Sequence, residues 1–540
     1  MVLTMIGLEL SPAYLAGPAA RDPLAAFFAQ GKGAHVALGP GPQNGLNVWT
    51  EIGADTAACL RLDGANTATR LSWRETLTCA LRKVYPVAAF TLSAGWSQLQ
   101  SSGSGLSGSY TGNRAVSTSS STATLGVTVD RDKPYDLWVT YTGRSAGGYV
   151  RVDIDGAQEL VNAITDPAGL GFKAFSTHSP TDMQRRRSIR VATGLTGSHH
   201  VTLSHGGAAS PGGTNVMIEA LALSADLTDD GILPPLWQPA TPYAMGDEVQ
   251  WQGTFYSARA TGVSGTVAPL HLSGIGGDGA LDWRADNRPT YPQFQAIDYP
   301  SEREYAGRVI IAGSATEIGG QTPGNEALVS RNITLDQQPF VPASTGTGLR
   351  VGAQIVMTEN TTWQRSGGGD VGECHLIRQI TPGEVRHDVQ LTATGPDAGL
   401  DWLYTGMLPL VHWDGETAAI ALQTVATPDG DTVALAGYAG QSPANISFGA
   451  ATRLGVAGRG VTGDIVYGLW ADKTPVADNW IDGMTTFLRP NIDARQASGS
   501  LDWIAKAYVA ADIPAGSVLR AGDVIGFASR HLLAVTLIQP

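Results

Sequence analysis

The chain has 540 residues, a formal net charge of −13 at pH 7 and only 15% charged residues. This length is too great for one hydrophobic core, so we expect about three to five domains. The negative charge argues against a nucleic-acid partner, since phosphate binding needs a basic face, and the absence of any run of about 18 apolar residues argues against membrane insertion.

Composition and pattern favour a mainly β, multi-domain protein. Gly is abundant at 67 residues, and the alternating apolar patterns are short and separated by turn residues. We therefore predict β-sandwich or jelly-roll domains with one small aromatic-rich β module. Cys59, Cys79 and Cys374 are an odd number without a close pair, so we expect no disulfide framework, no metal site and no cofactor.

Residues 1–87 are predicted to form a small N-terminal attachment domain. Asp22 and Pro23 are typical of the start of a helix, and strand-like segments surround them. Residues 1–10 lack a basic segment, and Glu9 interrupts their apolar stretch, which argues against a signal peptide. We therefore expect assembly in a bacterial cytoplasm and release by lysis.

Residues 88–228 contain regularly spaced short strands, including Tyr135–Tyr141 and Val150–Asp155, which predict an antiparallel β-sandwich. The segments Gly197–Leu203 and Asn215–Leu221 are similar to the last strands of galactose-binding-type jelly rolls. That resemblance implies a jelly-roll-like domain and transfers no binding residues.

Residues 236–285 are rich in aromatic residues and lie between two Pro-containing linkers. Val249 and Trp251 alternate, Gly253 is a turn signal, and the return strand begins at Phe255. The order Trp237, Tyr243, Gly-Asp-x-Val, Tyr-x-Ala, Pro and Trp283 resembles the small chitin- and cellulose-binding modules of bacterial glycosidases, which also occur in phage tail and spike proteins. The resemblance covers about a tenth of the chain.

This resemblance implies carbohydrate binding, because flat aromatic rings present C–H/π surfaces to pyranose rings. Five aromatic residues are the candidate binding residues: Trp237, Tyr243, Trp251, Tyr256 and Trp283. In so small a module the same rings could instead form the core, so both interpretations stay open at each position. Trp251 and Tyr256 are expected to be exposed, since they flank the turn at Gly253.

Residues 292–540 are predicted to form a large C-terminal β-rich domain, with hairpin turns at Asp414-Gly415 and Asp429-Gly430. The polar residues that could support glycosidase or lyase chemistry in this domain are Glu373, His375, Glu384, His387, Asp401, His412 and Asp414. Solvated surface residues and ion pairs explain the same pattern, so we assign no catalytic residues.

Together these features predict a carbohydrate-binding adhesin, a spike or fibre of a phage-like particle such as a tailed phage or gene transfer agent. Its expected partners are cell-surface polysaccharide, other particle proteins through the N-terminal domain, and further copies of itself, since multivalency strengthens weak sugar contacts. The alternatives are a polysaccharide-degrading enzyme of the particle and a purely structural virion protein.

Overall fold

The structure is a computed structural model, and it describes the following residues: 33–41, 45–64, 71–105, 108–118, 123–167, 169–178, 186–209, 212–229, 234–251, 254–271, 274–286, 294–296, 308–311, 317–318, 325–341, 350–364, 369–413, 422–427, 432–434, 444–459, 463–472, 483–497 and 500–537. The predicted helix start at Asp22 and the predicted turns at Gly253, Asp414-Gly415 and Asp429-Gly430 lie outside these ranges. Within them, no helix has the length and hydropathy needed to cross a bilayer.

The prediction of a mainly β protein is confirmed. The chain divides into two compact units, one drawn from Met1–Cys79 and Gln295–Ile538 and the other mainly from Ala80–Phe294. The first strands, which belong to the first unit, are β1 (Val36–Pro40), β2 (Leu46–Gly53), β3 (Thr56–Asp63) and β4 (Ser72–Ala80).

The second unit begins with β5 (Arg82–Pro86) and a short 3-10 helix, Val87–Ala89. Its further strands are β6 (Thr91–Leu92), β7 (Ser97–Gly105), β8 (Gly108–Ser117), β9 (Thr124–Thr142), β10 (Gly148–Ile154), β11 (Ala174–Ser176), β12 (Arg186–Ala208), β13 (Val216–Ser224), β14 (Pro242–Tyr243), β15 (Glu248–Trp251), β16 (Thr254–Ala258), β17 (Gly262–Val263), β18 (Gly274–Gly277) and β19 (Asp282–Asp286).

The remaining strands in the described ranges are β20 (Phe294–Ala296), β21 (Arg308–Ile311), β22 (Glu317–Ile318), β23 (Asn325–Leu335), β24 (Gln338–Pro339), β25 (Arg350–Gly352), β26 (Ile355–Gln364), β27 (Asp370–Thr381), β28 (Glu384–Ala393), β29 (Ala398–Trp413), β30 (Leu422–Ala426), β31 (Thr432–Ala434), β32 (Ile446–Ser447), β33 (Arg453–Arg459), β34 (Gly463–Asp472), β35 (Gly483–Ala497), β36 (Ser500–Asp512), β37 (Val518–Leu519) and β38 (Val524–Leu537).

The sandwich of the second unit is built on two long strands, β9 and β12. The first half of β9 pairs with the last half of β12, as in Val127 with Val201, and the opposite halves pair around Val139 and Ile189. Between residues 190 and 197 of β12 the pairing register with β9 is irregular, which is typical of β-bulges. This irregular segment separates the two halves of β12. Both halves contribute to one hydrophobic core, which explains how a single hydrogen-bonded sheet forms a sandwich.

The first unit contains a ten-stranded sheet in the order β24-β23-β26-β27-β28-β38-β34-β33-β30-β31. Along β26 and β28, buried and more exposed residues alternate strictly, because successive strand side chains point to opposite faces. The inner face shares one core with the six-stranded sheet β20-β4-β3-β2-β1-β25 and the seven-stranded sheet β22-β21-β29-β36-β35-β32. On β26, β27 and β28 the outer face carries the more exposed residues, whereas the outward-facing Ala528, Leu532 and Ala534 of β38 are buried.

The structure joins residues 33–79, part of the predicted N-terminal domain 1–87, with strands of the predicted C-terminal domain 292–540. Strand β1 pairs with β25, with Ala37 opposite Val351, and Thr50 Oγ1 donates a 2.9 Å hydrogen bond to the Thr381 carbonyl. Residues of β1–β4 are almost wholly apolar on the inner face, so they need the C-terminal strands to complete a core. The described residues of 33–79 therefore belong with the C-terminal segment.

Candidate functional site: two braced aromatic rings in the small module

The small module, residues 236–285, is built on a four-stranded antiparallel sheet in the order β15-β16-β19-β18. Register places Val249 opposite Tyr256, and Tyr256 opposite Ala285. A two-stranded ladder of β14 and β17, with Tyr243 opposite Gly262, accompanies the sheet. The hairpin predicted from the alternation of Val249 and Trp251 is thus present as β15 and β16.

Three of the five candidate binding residues are core residues of this module. Trp237, Tyr256 and Trp283 are at most 3% exposed and pack with Val249 and other apolar residues. The expectation that Tyr256 is exposed is wrong, because its cross-strand pairing puts it on the same face as Val249. Its hydroxyl donates a 3.0 Å hydrogen bond to the carbonyl of His271, so the phenol is satisfied without solvent.

Asp278 is the polar centre of the core. Its Oδ2 accepts hydrogen bonds from Trp283 Nε1 at 2.7 Å and from Trp237 Nε1 at 3.3 Å. Its Oδ1 accepts from the backbone N–H groups of Leu281 at 2.8 Å and Ala280 at 3.0 Å. One buried carboxylate therefore fixes the orientation of both indole rings.

These hydrogen-bond donors stabilise the ionised form of Asp278. Burial alone would raise the pKa of this carboxyl, but hydrogen bonds from Leu281, Trp283 and Ala280 lower the pKa below its ordinary value. The backbone approaches closely here, since a Cβ on Gly265 would lie 1.9 Å from the Asp278 carbonyl oxygen. Only glycine fits at that position, so the loop is fixed around the carboxylate.

The other two candidates, Trp251 and Tyr243, are partly exposed, and each is braced by a buried indole. The Trp251 ring meets Trp237 edge-on with centroids 5.8 Å apart, and the Tyr243 ring meets Trp283 edge-on at 5.1 Å. Such edge-to-face pairs are a favoured aromatic geometry. Each partly exposed ring is therefore held by a tryptophan that Asp278 itself orients.

The Tyr243 hydroxyl is also held in position. It accepts a 2.9 Å hydrogen bond from the backbone N–H of Gln238, which fixes the ring at both ends. Burial raises the pKa of Tyr243, so the phenol stays protonated and its O–H remains available to donate. A rigid ring with a polar tip is well suited to a sugar, which presents C–H groups on its face and hydroxyls at its rim.

Sequence reasoning identified these aromatic residues but missed the role of Asp278. The residue precedes Gly279, which adopts a left-handed φ of 92°, and from sequence this pair is typical of an ordinary loop turn. The contact between Asp278 and Trp237 spans 41 residues, so no local pattern predicts it.

The catalytic candidates whose side chains the structure describes do not form one site. Glu373 and His375 lie two residues apart on the outer face of β27, whereas His387 is buried on the inner face of β28. Arg378 Nε donates to His387 Nε2 at 2.9 Å, so this imidazole belongs to a buried structural network. The side chains of Asp401, His412 and Asp414 lie outside the described part of the structure.

His375 has a structural partner of its own on the outer face. Its Nδ1 lies 2.7 Å from Asn360 Oδ1, and Asn360 Nδ2 donates to Ser330 Oγ at 2.8 Å. Among the described residues, no group of three or more His, Cys, Asp or Glu side chains is arranged to hold a metal ion.

Comparison with known proteins leaves the family of this chain open. No family model matches the sequence, and no curated protein matches it. Among solved structures, the chain is similar to a cycloisomaltooligosaccharide glucanotransferase of Paenibacillus sp., in a complex with cycloisomaltoheptaose, at 9% identity and a TM-score of 0.17. The match covers 83% of this chain and 45% of that one.

Proposed function

We propose that this protein is a carbohydrate-binding adhesin, a spike or fibre that attaches a phage-like particle to cell-surface polysaccharide. The observation that supports this most is the pair of partly exposed rings, Trp251 and Tyr243, each braced by a buried tryptophan. A ring held in one orientation loses little conformational entropy when a sugar stacks on it, so weak contacts yield more net affinity.

In this proposal, Trp251 and Tyr243 alone contact the sugar. Trp237, Tyr256 and Trp283 supply the core that a module of this size needs, and they act on a ligand only by positioning the two outer rings. In this proposal, display of several copies on a particle raises the avidity of each weak site, and the N-terminal residues connect the chain to other particle proteins.

The test is incubation of the purified full-length protein with polysaccharide extracted from candidate host cells. Retention on the polymer and release of reducing ends or unsaturated products are followed in the same samples. We expect retention without product. Product release would transfer the function to a polysaccharide-degrading enzyme, and the absence of both would favour a purely structural role.

A further inference from the structure

The core of the first unit contains two histidines, His387 on β28 and His531 on β38, which are 1% and 0% exposed. Register places His387 opposite Ser529 and His531 opposite Val385 on these adjacent strands. Since residues 385 and 387 are two positions apart, both imidazoles lie on the inner face of the ten-stranded sheet. Their ring centroids are 5.4 Å apart. Unlike the apolar residues around it, histidine can gain a charge near neutral pH.

The N-terminal segment contacts this pair through Trp73 of β4, which is 1% exposed. The centroid of its ring lies 5.0 Å from that of His531 and 6.0 Å from that of His387. The indole nitrogen donates a 3.0 Å hydrogen bond to Thr76 Oγ1, so the ring is oriented within its own strand. The two histidines therefore lie where residues 33–79 meet the ten-stranded sheet.

Arg378 on β27 determines which nitrogen of His387 carries the proton. Its Nε–H group donates a 2.9 Å hydrogen bond to His387 Nε2. Arginine has donors and no acceptor, so Nε2 must accept and the proton of the neutral ring is on Nδ1. Nη2 of the same guanidinium donates to the Leu71 carbonyl at 3.2 Å. Arg378 thus connects the histidine pair to the N-terminal segment.

Leu71 is held at both of its backbone groups. Its N–H donates to Glu359 Oε1 at 2.8 Å, and the same oxygen accepts from Arg331 Nε at 2.8 Å. Glu359 is 0% exposed. This carboxylate is therefore bonded to Arg331 and to the backbone, not to the ring of His387.

Further charged side chains lie on the inner face around the histidine pair. Glu326 accepts hydrogen bonds from Thr361 and Trp363, so it is also bonded away from His387. On β4, the side chains of Arg74 and Glu75 lie outside the described part of the structure. The charged or titratable residues described on this inner face are Glu326 and Arg331 on β23, Glu359 on β26, Arg378 on β27 and His531 on β38.

A proton taken up by His387 would have to bind Nε2, because Nδ1 already carries one. The Nε–H of Arg378 and the new N–H would then face each other across 2.9 Å, and two positive charges would share a buried site. Like charges repel strongly at this distance where water is excluded. Proton uptake therefore requires that His387 and Arg378 separate or reach solvent, which loosens the contact with β4.

We propose that these residues form an acid-sensitive switch, the His387 switch, which we define as Trp73, Arg378, His387 and His531. It holds residues 33–79 against the ten-stranded sheet at neutral pH and loosens this contact under mildly acidic conditions. The packed state requires a neutral ring, whereas the loosened state exposes the ring to water, where histidine has its ordinary pKa of about 6.5. The contact is thus fully stable above this value and weakens as the pH falls below it. The switch is independent of the sugar-binding rings in the small module.

Hydrogen exchange of the full-length protein at pH 7.5 and pH 5.5 tests the switch, with labelling times corrected for the intrinsic pH dependence of exchange. The peptides to follow are those covering 71–80, which include Leu71 and Trp73. Their opening equilibrium constant should rise by about tenfold for one histidine that gains a proton on opening, and by about a hundredfold for two. Opening that does not change between the two pH values would overturn the proposal.

His387→Gln removes the titratable group and keeps an acceptor, since the amide oxygen of glutamine can accept the hydrogen bond from Arg378. The rise in opening between the two pH values should be about tenfold smaller than in the wild type. The matched control is His375→Gln on the outer face of β27, where the ring is bonded to Asn360, and it should respond to pH like the wild type. A wild-type response in His387→Gln would contradict the switch, as would a lost response in His375→Gln.

The protonation state is also measured in the wild type, so the test does not depend on the folding of a variant. With nitrogen-15 in histidine and arginine, a scalar coupling across the hydrogen bond from Arg378 identifies the His387 ring. We expect a neutral ring with its proton on Nδ1 at pH 7.5, and the same form at pH 5.5 in molecules that remain packed. A positively charged His387 ring in the packed protein at either pH would overturn the proposal.

His205, a buried histidine of the second unit, gives a contrasting reference signal in the same spectra. Its Nε2 lies 2.6 Å from the Thr214 carbonyl, and its Nδ1 accepts a 3.0 Å hydrogen bond from the backbone N–H of Gly207. These partners place its proton on Nε2, the opposite nitrogen from His387. A His387 ring with its proton on Nε2 would show that Arg378 does not donate to it, and the switch would then lack its cause.

Discussion

The indole nitrogen of Trp283 donates a 2.7 Å hydrogen bond to Oδ2 of Asp278, and both side chains are buried in the core of the small module. Because Trp237 donates to the same oxygen, the loss of this one carboxylate removes the partner of two indoles. The order of the module and the placement of its outer rings both depend on it.

Asp278→Asn should destabilise the module at neutral pH by about 2 kcal/mol, the usual value for charged hydrogen bonds in a buried site. The folded pKa of Asp278 is lowered, so its contribution is present above the ordinary unfolded carboxyl value and is lost as pH falls through the folded pKa. Hydrogen exchange of peptides covering 274–286 should be faster in the variant at pH 7. A similar difference between variant and wild type under strongly acidic conditions would contradict this assignment.

Asp226 gives a second pH prediction, at the end of the sandwich. Burial opposes its charge, but hydrogen bonds from Lys133 and Thr228 lower its pKa to about 2. The side chain is 26% exposed, so we expect Asp226→Asn to cost only about 1 kcal/mol at pH 7 after solvent screening. This stabilisation should be lost as pH falls from about 4 to 2.

Urea unfolding of Asp226→Asn at pH 7 and pH 2.5 measures this loss. Asp132→Asn, on an exposed residue of the same strand as Lys133, is the control and should change stability little. An Asp226→Asn effect of equal size at both pH values would show that the ion pair with Lys133 is not its cause.

Arg378→Met should destabilise the first unit by about 3 kcal/mol, because it removes a buried donor from its partners. Arg378 is 1% exposed and donates to His387 Nε2 at 2.9 Å and to the Leu71 carbonyl at 3.2 Å. Arg386→Met, which disrupts an exposed pair with Asp388, should change stability by less than about 1 kcal/mol. Equal shifts in the thermal midpoints of the two variants would argue against a structural role for the buried network.

The Cys79 thiol should resist thiol reagents in the folded protein. Burial raises its pKa well above the ordinary value, and the neighbouring Cys59 raises it further, so little thiolate forms near pH 8. Cys59 and Cys374 are buried as well. Titration with a chromogenic disulfide reagent should detect no thiol without denaturant and three with it; rapid reaction of the native protein would contradict the packing around β4.

The sequence predicted the β class and the hairpin of β15 and β16, since alternation and turn residues are local signals. The sequence did not show which aromatic rings of the module are buried and which are exposed. Tyr256 is buried because it pairs with Val249 on one side and with Ala285, 29 residues further along the chain, on the other. Residues 33–79 pack with the C-terminal strands through long-range contacts, such as the hydrogen bond from Thr50 to the Thr381 carbonyl. Local sequence patterns do not predict contacts of this kind. The Asp278 contacts were missed for the same reason.

The central claim is that the partly exposed rings of Trp251 and Tyr243 bind sugar, while the buried Trp237, Tyr256 and Trp283 only support them. Retention of Trp251→Ala on chitin and cellulose beads, compared with the wild type and with Phe172→Ala, tests this most directly. Phe172 is also partly buried and lies in the second unit outside the module, so it matches the loss of aromatic surface. We predict at least about tenfold weaker retention for Trp251→Ala alone, with an unchanged thermal midpoint. Wild-type retention by Trp251→Ala, or no retention by any of the three proteins, would contradict the claim.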